Sequence, residues 1–269
     1  MPKPWEKEDW LALAPRLSIG ADASIEEVPF PTSRLTEISD SFWEEGYLSL
    51  SPLFGEDELP PIRDAIYAMA ERNIPPVYIY LYDQPWWLFN RLGALLRHFV
   101  GENFGVLPNL WAWHLNRENA QGWPLHRDCD AETVFGEEDD VFLMSLSLWL
   151  PLTDTDESNG CMYVVPQSRH EAKLSPQKPS LLDARALPVA AGSVLGWPQD
   201  LYHWGGEYTA AAKNPRVSLS LEFQNRAFEP LAEPLIDMGR LPPFEKRRGL
   251  IQDQFAKYQH IDPNLRAGK

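Results

Sequence analysis

The sequence is poor in features that would mark several classes of protein. It holds only two cysteines, Cys129 and Cys161, neither in a CxxC spacing. Two are too few for a disulfide framework in a chain of 269 residues, so a reducing, cytoplasmic setting is expected. Long hydrophobic runs are missing. The longest nearly apolar stretch, Val141 to Leu152, is interrupted by Ser145 and Ser147 and is too short to span a bilayer. The opening segment MPKPWEKEDW has no apolar stretch of the kind a signal peptide needs, and no secretory signal is expected. A surplus of cations is lacking too: 24 Lys and Arg stand against 39 Asp and Glu, a formal net charge of −15. That argues against nucleic-acid binding, which needs cations to meet phosphates, and against an anionic membrane surface. No internal repeat and no low-complexity tract is visible.

Hydrophobic residues make up 44% and charged residues 23%, ordinary for a soluble globular protein. The length fits a single domain over residues 1–269, because β-barrels and sandwiches of this size are common. Proline is abundant at 25, which predicts many short loops, and tryptophan is high at 11.

Periodicity divides the chain. Ser33 to Glu45 opens with a Ser cap after Pro31 and reads as a helix. Tyr47 to Leu53 alternates like a strand. In Glu56 to Arg72, Leu59, Ile62, Ile66 and Met69 recur at helical intervals, and the prolines near its start suit a first turn. Val77 to Tyr82 is β-rich, and Trp86 to Val100 is helical. This helical N-terminal region covers residues 1–105. From Gly105 short β-like runs alternate with turn residues: Val106–Leu115, Val141–Leu150, Met162–Val165, Ser193–Trp197 and Arg216–Phe223. Such spacing predicts a β-sandwich or barrel, with the motif-bearing core over about residues 106–223. Phe244, Ile251, Phe255 and Tyr258 form one stripe of a C-terminal helix over about residues 244–258. The expected class is mainly β with flanking helices.

Strand faces follow from the period of two. Arg216, Ser218, Ser220 and Glu222 share one face, and Val217, Leu219, Leu221 and Phe223 the other. Ser145, Ser147 and Trp149 oppose Leu146, Leu148 and Leu150. The polar faces either meet water or line a polar interior, where a site would sit.

One constellation carries chemistry. His126 and Asp128, two apart, face the same way on an extended segment, and His203 on a distant strand completes a set of two imidazoles and a carboxylate. Those donors suit non-haem Fe(II) with open positions; as bare spacing, His-x-Asp is a weak motif that arises by chance and is far more often a surface ion pair. Arg216 opens a β run and offers a planar fork for a carboxylate, with Ser218 on the same face. It either grips an anion such as a dicarboxylate, pairs with Glu222, or reaches solvent.

With these residues in view, the sequence resembles the phytanoyl-CoA dioxygenase family of Fe(II)/2-oxoglutarate oxygenases. The resembling pieces are Leu125-His126-Arg127-Asp128, Leu148 to Asp154 (LWLPLTD), Asn159-Gly160 and Val165 to His170 (VPQSRH). Ala191-Gly192-Ser193, Leu201 to Gly206 (LYHWGG) and Arg216 follow in order. The resemblance implies a double-stranded β-helix (jelly-roll, cupin-like) core. It implies Fe(II) ligation by His126, Asp128 and His203, which would be both metal and catalytic residues. Arg216 would bind 2-oxoglutarate, helped by Ser218 and with Trp149 beside it. The implied activity oxidises a second, small-molecule substrate with O₂, most often by hydroxylation, while 2-oxoglutarate becomes succinate and CO₂. Gln167 stands where the family has a turn glycine. The retained Asp128 argues against halogenation.

Two other readings use the same scaffold: a jelly-roll binding module without turnover, and a Zn(II) hydrolase on the same three ligands. Among the remaining candidates, His98 and His260 read as surface residues, His114 as packing and His170 as a loop hydrogen bond. Cys129 reads as a small loop side chain. Trp111, Trp113, Trp123, Trp149, Trp197 and Trp204 are either core or an aromatic pocket wall, with Trp113 the first choice for a substrate wall. Lys246-Arg247-Arg248 reads as a solvated helix face.

Overall fold

The computed structural model describes residues 5–55, 57–136, 141–169 and 179–258. His170 and His260 lie outside them. Helices α1 (Lys7–Leu13) and α2 (Thr32–Glu45), strand β1 (Leu48–Leu50), and helices α3 (Leu59–Ala70), α4 (Gln84–Asn90) and α5 (Gly93–Val100) come first. Strands β2 (Phe104–Val106), β3 (Trp111–Leu115), β4 (Val134–Phe135), β5 (Phe142–Leu143) and β6 (Ser145–Pro151) follow. Then come β7 (Met162–Val164), β8 (Arg185–Leu187), β9 (Val194–Pro198), β10 (His203–Gly205) and β11 (Arg216–Asn225), and helix α6 (Phe244–Tyr258) closes the order.

A six-stranded antiparallel sheet runs β1-β9-β6-β11-β2, with β3 also paired to β11. A smaller sheet runs β10-β7-β8. The large sheet has two unlike faces because its strands alternate. Leu146, Leu148, Leu150, Val217, Leu219, Leu221 and Phe223 are fully buried under the helices, in one cluster with Ile62, Ile66, Phe89 and Leu96. Burying each such side chain contributes roughly 1.5–3 kcal/mol. On the other face Trp149, Leu195 and Trp197 pack against Met162, Val164 and Leu187 of the small sheet. The two sheets therefore face each other, and the polar alternate of β11 points between them.

The elements depart from the sequence reading where local signals compete. Val77–Tyr82 is not a strand: Pro76–Leu81 forms a 3₁₀ helix. Two prolines, Pro75 and Pro76, set its φ and withhold donors that a ladder would need, while burial of Val77, Ile79, Tyr80, Leu81 and Tyr82 gives the apolar run that suggested β. Trp86–Val100 is two helices, α4 and α5, broken at Arg91-Leu92. Val106–Leu115 is divided into β2 and β3 by a loop containing Pro108. Helix α2 stops at Gly46, which takes a left-handed φ of 83°. A Cβ there would fall 2.9 Å from Cβ of Gln167. Gln167 itself donates from Nε2 to the Trp43 carbonyl at 3.1 Å, so the residue that replaces a turn glycine ties its loop to α2.

The basic run on α6 is only partly solvated, which corrects the sequence reading. Arg247 is 2% exposed and its Nη1 lies 2.7 Å from Oδ1 of Asp83, itself 1% exposed. The guanidinium also donates to the carbonyls of Leu81 and Pro242. Asp83 further accepts from the Ser18 hydroxyl and the Gly20 and Ala21 amides. The pair clips α6 onto the N-terminal helices. Arg247→Ala leaves a buried carboxylate without its cation, and urea denaturation should show a loss of roughly 3–5 kcal/mol; a loss below about 1 kcal/mol, the surface-pair range, would mean the clip carries no weight.

Candidate functional site

The segment before β4 runs beside β10. His126 and His203 form an antiparallel bridge, with N–H to O distances of 3.1 and 3.0 Å. That bridge puts the two imidazoles on one side, their ring centroids 4.3 Å apart. Nδ1 of His126 lies 2.7 Å from the Pro124 carbonyl, and Nδ1 of His203 lies 2.9 Å from the Leu201 carbonyl. Each backbone oxygen takes the Nδ1 proton and leaves Nε2 as the free donor atom. Asp128 Oδ1 is 3.2 Å from Nε2 of His126 and 3.6 Å from Nε2 of His203. Its other oxygen, Oδ2, accepts from the Ser147 hydroxyl at 2.8 Å. One ligand atom from each residue lies within 4.8 Å of the other two. Two imidazole nitrogens, one carboxylate oxygen and fixed outer partners form a set that fits a divalent transition metal.

The charges agree with that set. Burial holds the His203 imidazole neutral, its pKa pushed down to about 4. For Asp128, burial works against ionisation, but His203, His126 and the Ser147 hydroxyl outweigh it and hold the carboxyl below its usual range. Burial also opposes the charged form of His126, and its contact with Asp128 reverses the balance.

A cavity of about 370 Å³ opens beside the triad. Trp149 on β6, Trp197 on β9, Trp111 and Trp113 on β3, Trp123, Met162 and Tyr258 line it, together with Arg216, Ser220 and Glu222 of β11. The register explains the convergence: Ser220 pairs with both Trp111 and Trp149, and Glu222 pairs with Ser147. Paired residues on antiparallel strands share a face. Trp111 and Trp113 stack with centroids 6.3 Å apart. Ser218, on the same face, is fully buried, but it does not line the cavity and its hydroxyl has no partner.

Arg216 is 1% exposed. Its Nη1 donates to the Gly160 carbonyl at 2.6 Å, and Nε has no partner. No acid lies within ion-pair distance among the described residues; Glu222 is bonded elsewhere. The guanidinium sits over Trp113, 5.9 Å from the ring centroid. Gly122 and Gly205 make its seat, since a Cβ on either would come 2.9 Å from a guanidinium nitrogen. A buried cation with spare donors, beside the unpartnered indole N–H groups of Trp149 and Trp197, is a receptor for an anion.

Glu222 is the residue that sequence reasoning missed as more than a partner for Arg216. Its Oε2 accepts from Asn109 Nδ2 and Gln199 Nε2, each at 2.8 Å, and Oε1 accepts from Trp111 Nε1 at 3.1 Å. Its place on the polar face of β11 was readable; its partners come from segments far away in the chain. Other candidates take structural roles. His114 faces away from the cavity against Tyr67, 5.4 Å between ring centroids. His98 is exposed and meets the Ser39 hydroxyl. Trp204 stacks on Tyr163 instead of lining the cavity. Cys129 bonds through its backbone to Gln199.

Residues 85–216 match the family model described as phytanoyl-CoA dioxygenase (PhyH). The match spans 132 of the 269 residues, just under half of the chain. Comparison with curated proteins finds no match in sequence. Several solved structures are similar in fold. The epimerase SnoN, in complex with Fe³⁺, alpha ketoglutarate and nogalamycin RO, aligns with a TM-score of 0.58 at 15% identity. That alignment covers 79% of this chain and 96% of SnoN. HygX from Streptomyces hygroscopicus, with nickel, 2-oxoglutarate and hygromycin B bound, aligns at 0.54 and 16%, covering 78% of this chain and 98% of HygX. The alpha ketoglutarate dependent carbocyclase SnoK aligns at 0.55 and 14%, covering 81% and 98%. The chain thus has the expected fold, mainly β with flanking helices around a double-stranded β-helix core. No described helix is long and apolar enough to cross a membrane.

Burial first, and the charge of Asp128 second, push the Glu222 carboxyl up to about 7. A carboxyl raised above its unfolded value costs stability as pH climbs from the ordinary carboxylate range through the raised value. In chelator-treated protein, Glu222→Gln should therefore gain on wild type in melting temperature between pH 5 and pH 8. An equal gap at both pH values would show that Glu222 does not titrate in this range.

Proposed function

We propose that the protein is a non-haem Fe(II)- and 2-oxoglutarate-dependent dioxygenase, and that it hydroxylates a small molecule. The observation that carries this reading is a pair of receptors in one cavity: a His₂-carboxylate cluster whose ligand atoms converge within 4.8 Å of one another, and a buried guanidinium with no acid to pair with among the described residues. His126, Asp128 and His203 would hold the iron. Iron(II) with O₂ supplies the oxidising power for an unactivated C–H bond, and 2-oxoglutarate supplies two electrons as it becomes succinate and CO₂. In sum, substrate C–H, 2-oxoglutarate and O₂ give substrate C–OH, succinate and CO₂.

The chain's own groups prepare that reaction. The Pro124 and Leu201 carbonyls fix both imidazole tautomers. The Ser147 hydroxyl orients Asp128 so that one oxygen stays available. Arg216 grips the distal carboxylate of 2-oxoglutarate, its fork seated in the space that Gly122 and Gly205 leave by lacking a Cβ. Trp149 lines the cavity beside the co-substrate, and Trp113 forms part of the substrate wall. Aromatic walls exclude water from the reacting carbon. A zinc hydrolase on the same ligands would leave the uncompensated Arg216 without a purpose. Neighbours of the same fold that are an epimerase and a carbocyclase make the product the decisive observable.

Asp128→Ala should abolish substrate oxidation and 2-oxoglutarate-dependent succinate release; retained turnover would refute the ligand role. Arg216→Ala should raise the apparent KM for 2-oxoglutarate on the order of 100-fold, the worth of a lost bidentate charge-assisted pair. An unchanged KM would remove Arg216 from the co-substrate site. Product mass spectrometry under ¹⁸O₂ should show one labelled oxygen gained by the substrate. Loss of two hydrogens with no label would replace hydroxylation with desaturation or ring closure.

A further inference from the structure

We propose that the cavity selects a cationic substrate, an amine or quaternary ammonium compound, with the Glu222 carboxylate as its counter-ion and Trp111, Trp123 and Tyr258 as its aromatic walls. This names the substrate class of the site proposed above and rests on that reading.

Glu222 is 6% exposed, yet it lines the cavity. Its three hydrogen-bond donors, Asn109, Gln199 and Trp111, are all neutral. Among the described residues no cation lies within ion-pair distance of it; Lys257, exposed and with its Nζ over the Tyr258 ring of the aromatic cluster at 4.8 Å from the centroid, acts on it from farther away. A buried carboxylate held by neutral dipoles is oriented but not neutralised, and its charge is costly until a cation arrives. Arg216 does not supply that cation. It stands six residues earlier on β11, about 20 Å along an extended strand at ~3.3 Å per residue. The cavity therefore has a cationic end and an anionic end.

The rings beside Glu222 form a cluster. Trp111 meets Trp123 edge to face at 5.2 Å and Tyr258 at 5.0 Å, and Trp123 meets Tyr258 at 5.9 Å. Trp111 also donates its indole N–H to Glu222, so the carboxylate and the aromatic wall are one unit. Aromatic faces attract ammonium groups, and trimethylated ammonium in particular, when water is excluded. The charge balance points the same way. With a metal dication and a 2-oxoglutarate dianion cancelling, Asp128 and Glu222 against Arg216 leave one negative charge for the substrate to meet. The net charge of −15 draws cations toward the protein as a whole.

The test uses choline and its neutral isostere 3,3-dimethyl-1-butanol. Both are titrated by tryptophan fluorescence and calorimetry at pH 8 and constant ionic strength, on metal-free protein and on protein loaded with Ni(II) and 2-oxoglutarate. Choline should bind saturably and about tenfold or more tighter than the neutral alcohol, an aromatic-cage preference. Glu222→Gln and, separately, Trp123→Leu should each abolish that preference while 2-oxoglutarate binding by Ni(II)-loaded protein stays at the wild-type level. Equal binding of cation and alcohol by the wild type overturns the proposal whether or not the variants fold. A preference that survives in folded Glu222→Gln overturns it as well. Failure of the parent reading looks different: 2-oxoglutarate does not bind the Ni(II)-loaded protein, whatever the cation preference shows.

Discussion

The site depends on the register of β11. This strand is hydrogen-bonded to β6 on one side and to β3 and β2 on the other. Arg216, Ser220 and Glu222 on its even-numbered face line the cavity, and Val217, Leu219, Leu221 and Phe223 on the odd-numbered face are sealed under the helices. Because side chains alternate with a period of two, a slip of one residue would drive Arg216 and Glu222 into hydrocarbon and expose Val217 to Phe223. The apolar face therefore fixes where the polar face must be. Stability and chemistry are set by one constraint acting on opposite sides of a single strand.

Against that rigid wall, the proposed ligands are delivered by a much slighter pairing. One bridge between His126 and His203 and one hydroxyl contact from Ser147 to Asp128 bring together groups from three segments. Polar satisfaction is uneven across the cavity. The Nδ1 atoms and one Asp128 oxygen have partners, whereas Arg216 Nε and the indole nitrogens of Trp149 and Trp197 do not. Folded proteins rarely leave buried donors orphaned. Their concentration around one space is what separates a receptor from a packed core.

Much of the β core was legible because alternation is a local signal. The two faces of Arg216–Phe223 and of Ser145–Leu150 read directly from spacing, and the apolar stripe of residues 244–258 predicted α6. Val77–Tyr82 was misread because an apolar run buried on all sides has no period to betray it. Short strands β4, β8 and β10 carry too few residues to show a pattern. His126, Asp128 and Arg216 stood out as residue types in a suggestive order, helped by the family resemblance. Asn109 and Gln199 could not, since nothing in their neighbourhoods says that both will donate to Glu222. The burial of Arg247 was invisible for the same reason: its partner Asp83 is distant in the chain, and a basic run reads as solvated until that carboxylate is placed.

The family match ends at Arg216, whereas the cavity does not. Ser220 and Glu222 lie on the remainder of β11, and Tyr258 comes from the last turn of α6. That helix is held in place when Gln254 clasps both the amide and the carbonyl of Leu110. The residues proposed to hold iron and co-substrate therefore lie within the matched segment, while part of the wall proposed to meet a substrate lies beyond it. A change in the last turn of α6 would reshape what the cavity admits without touching a single proposed ligand.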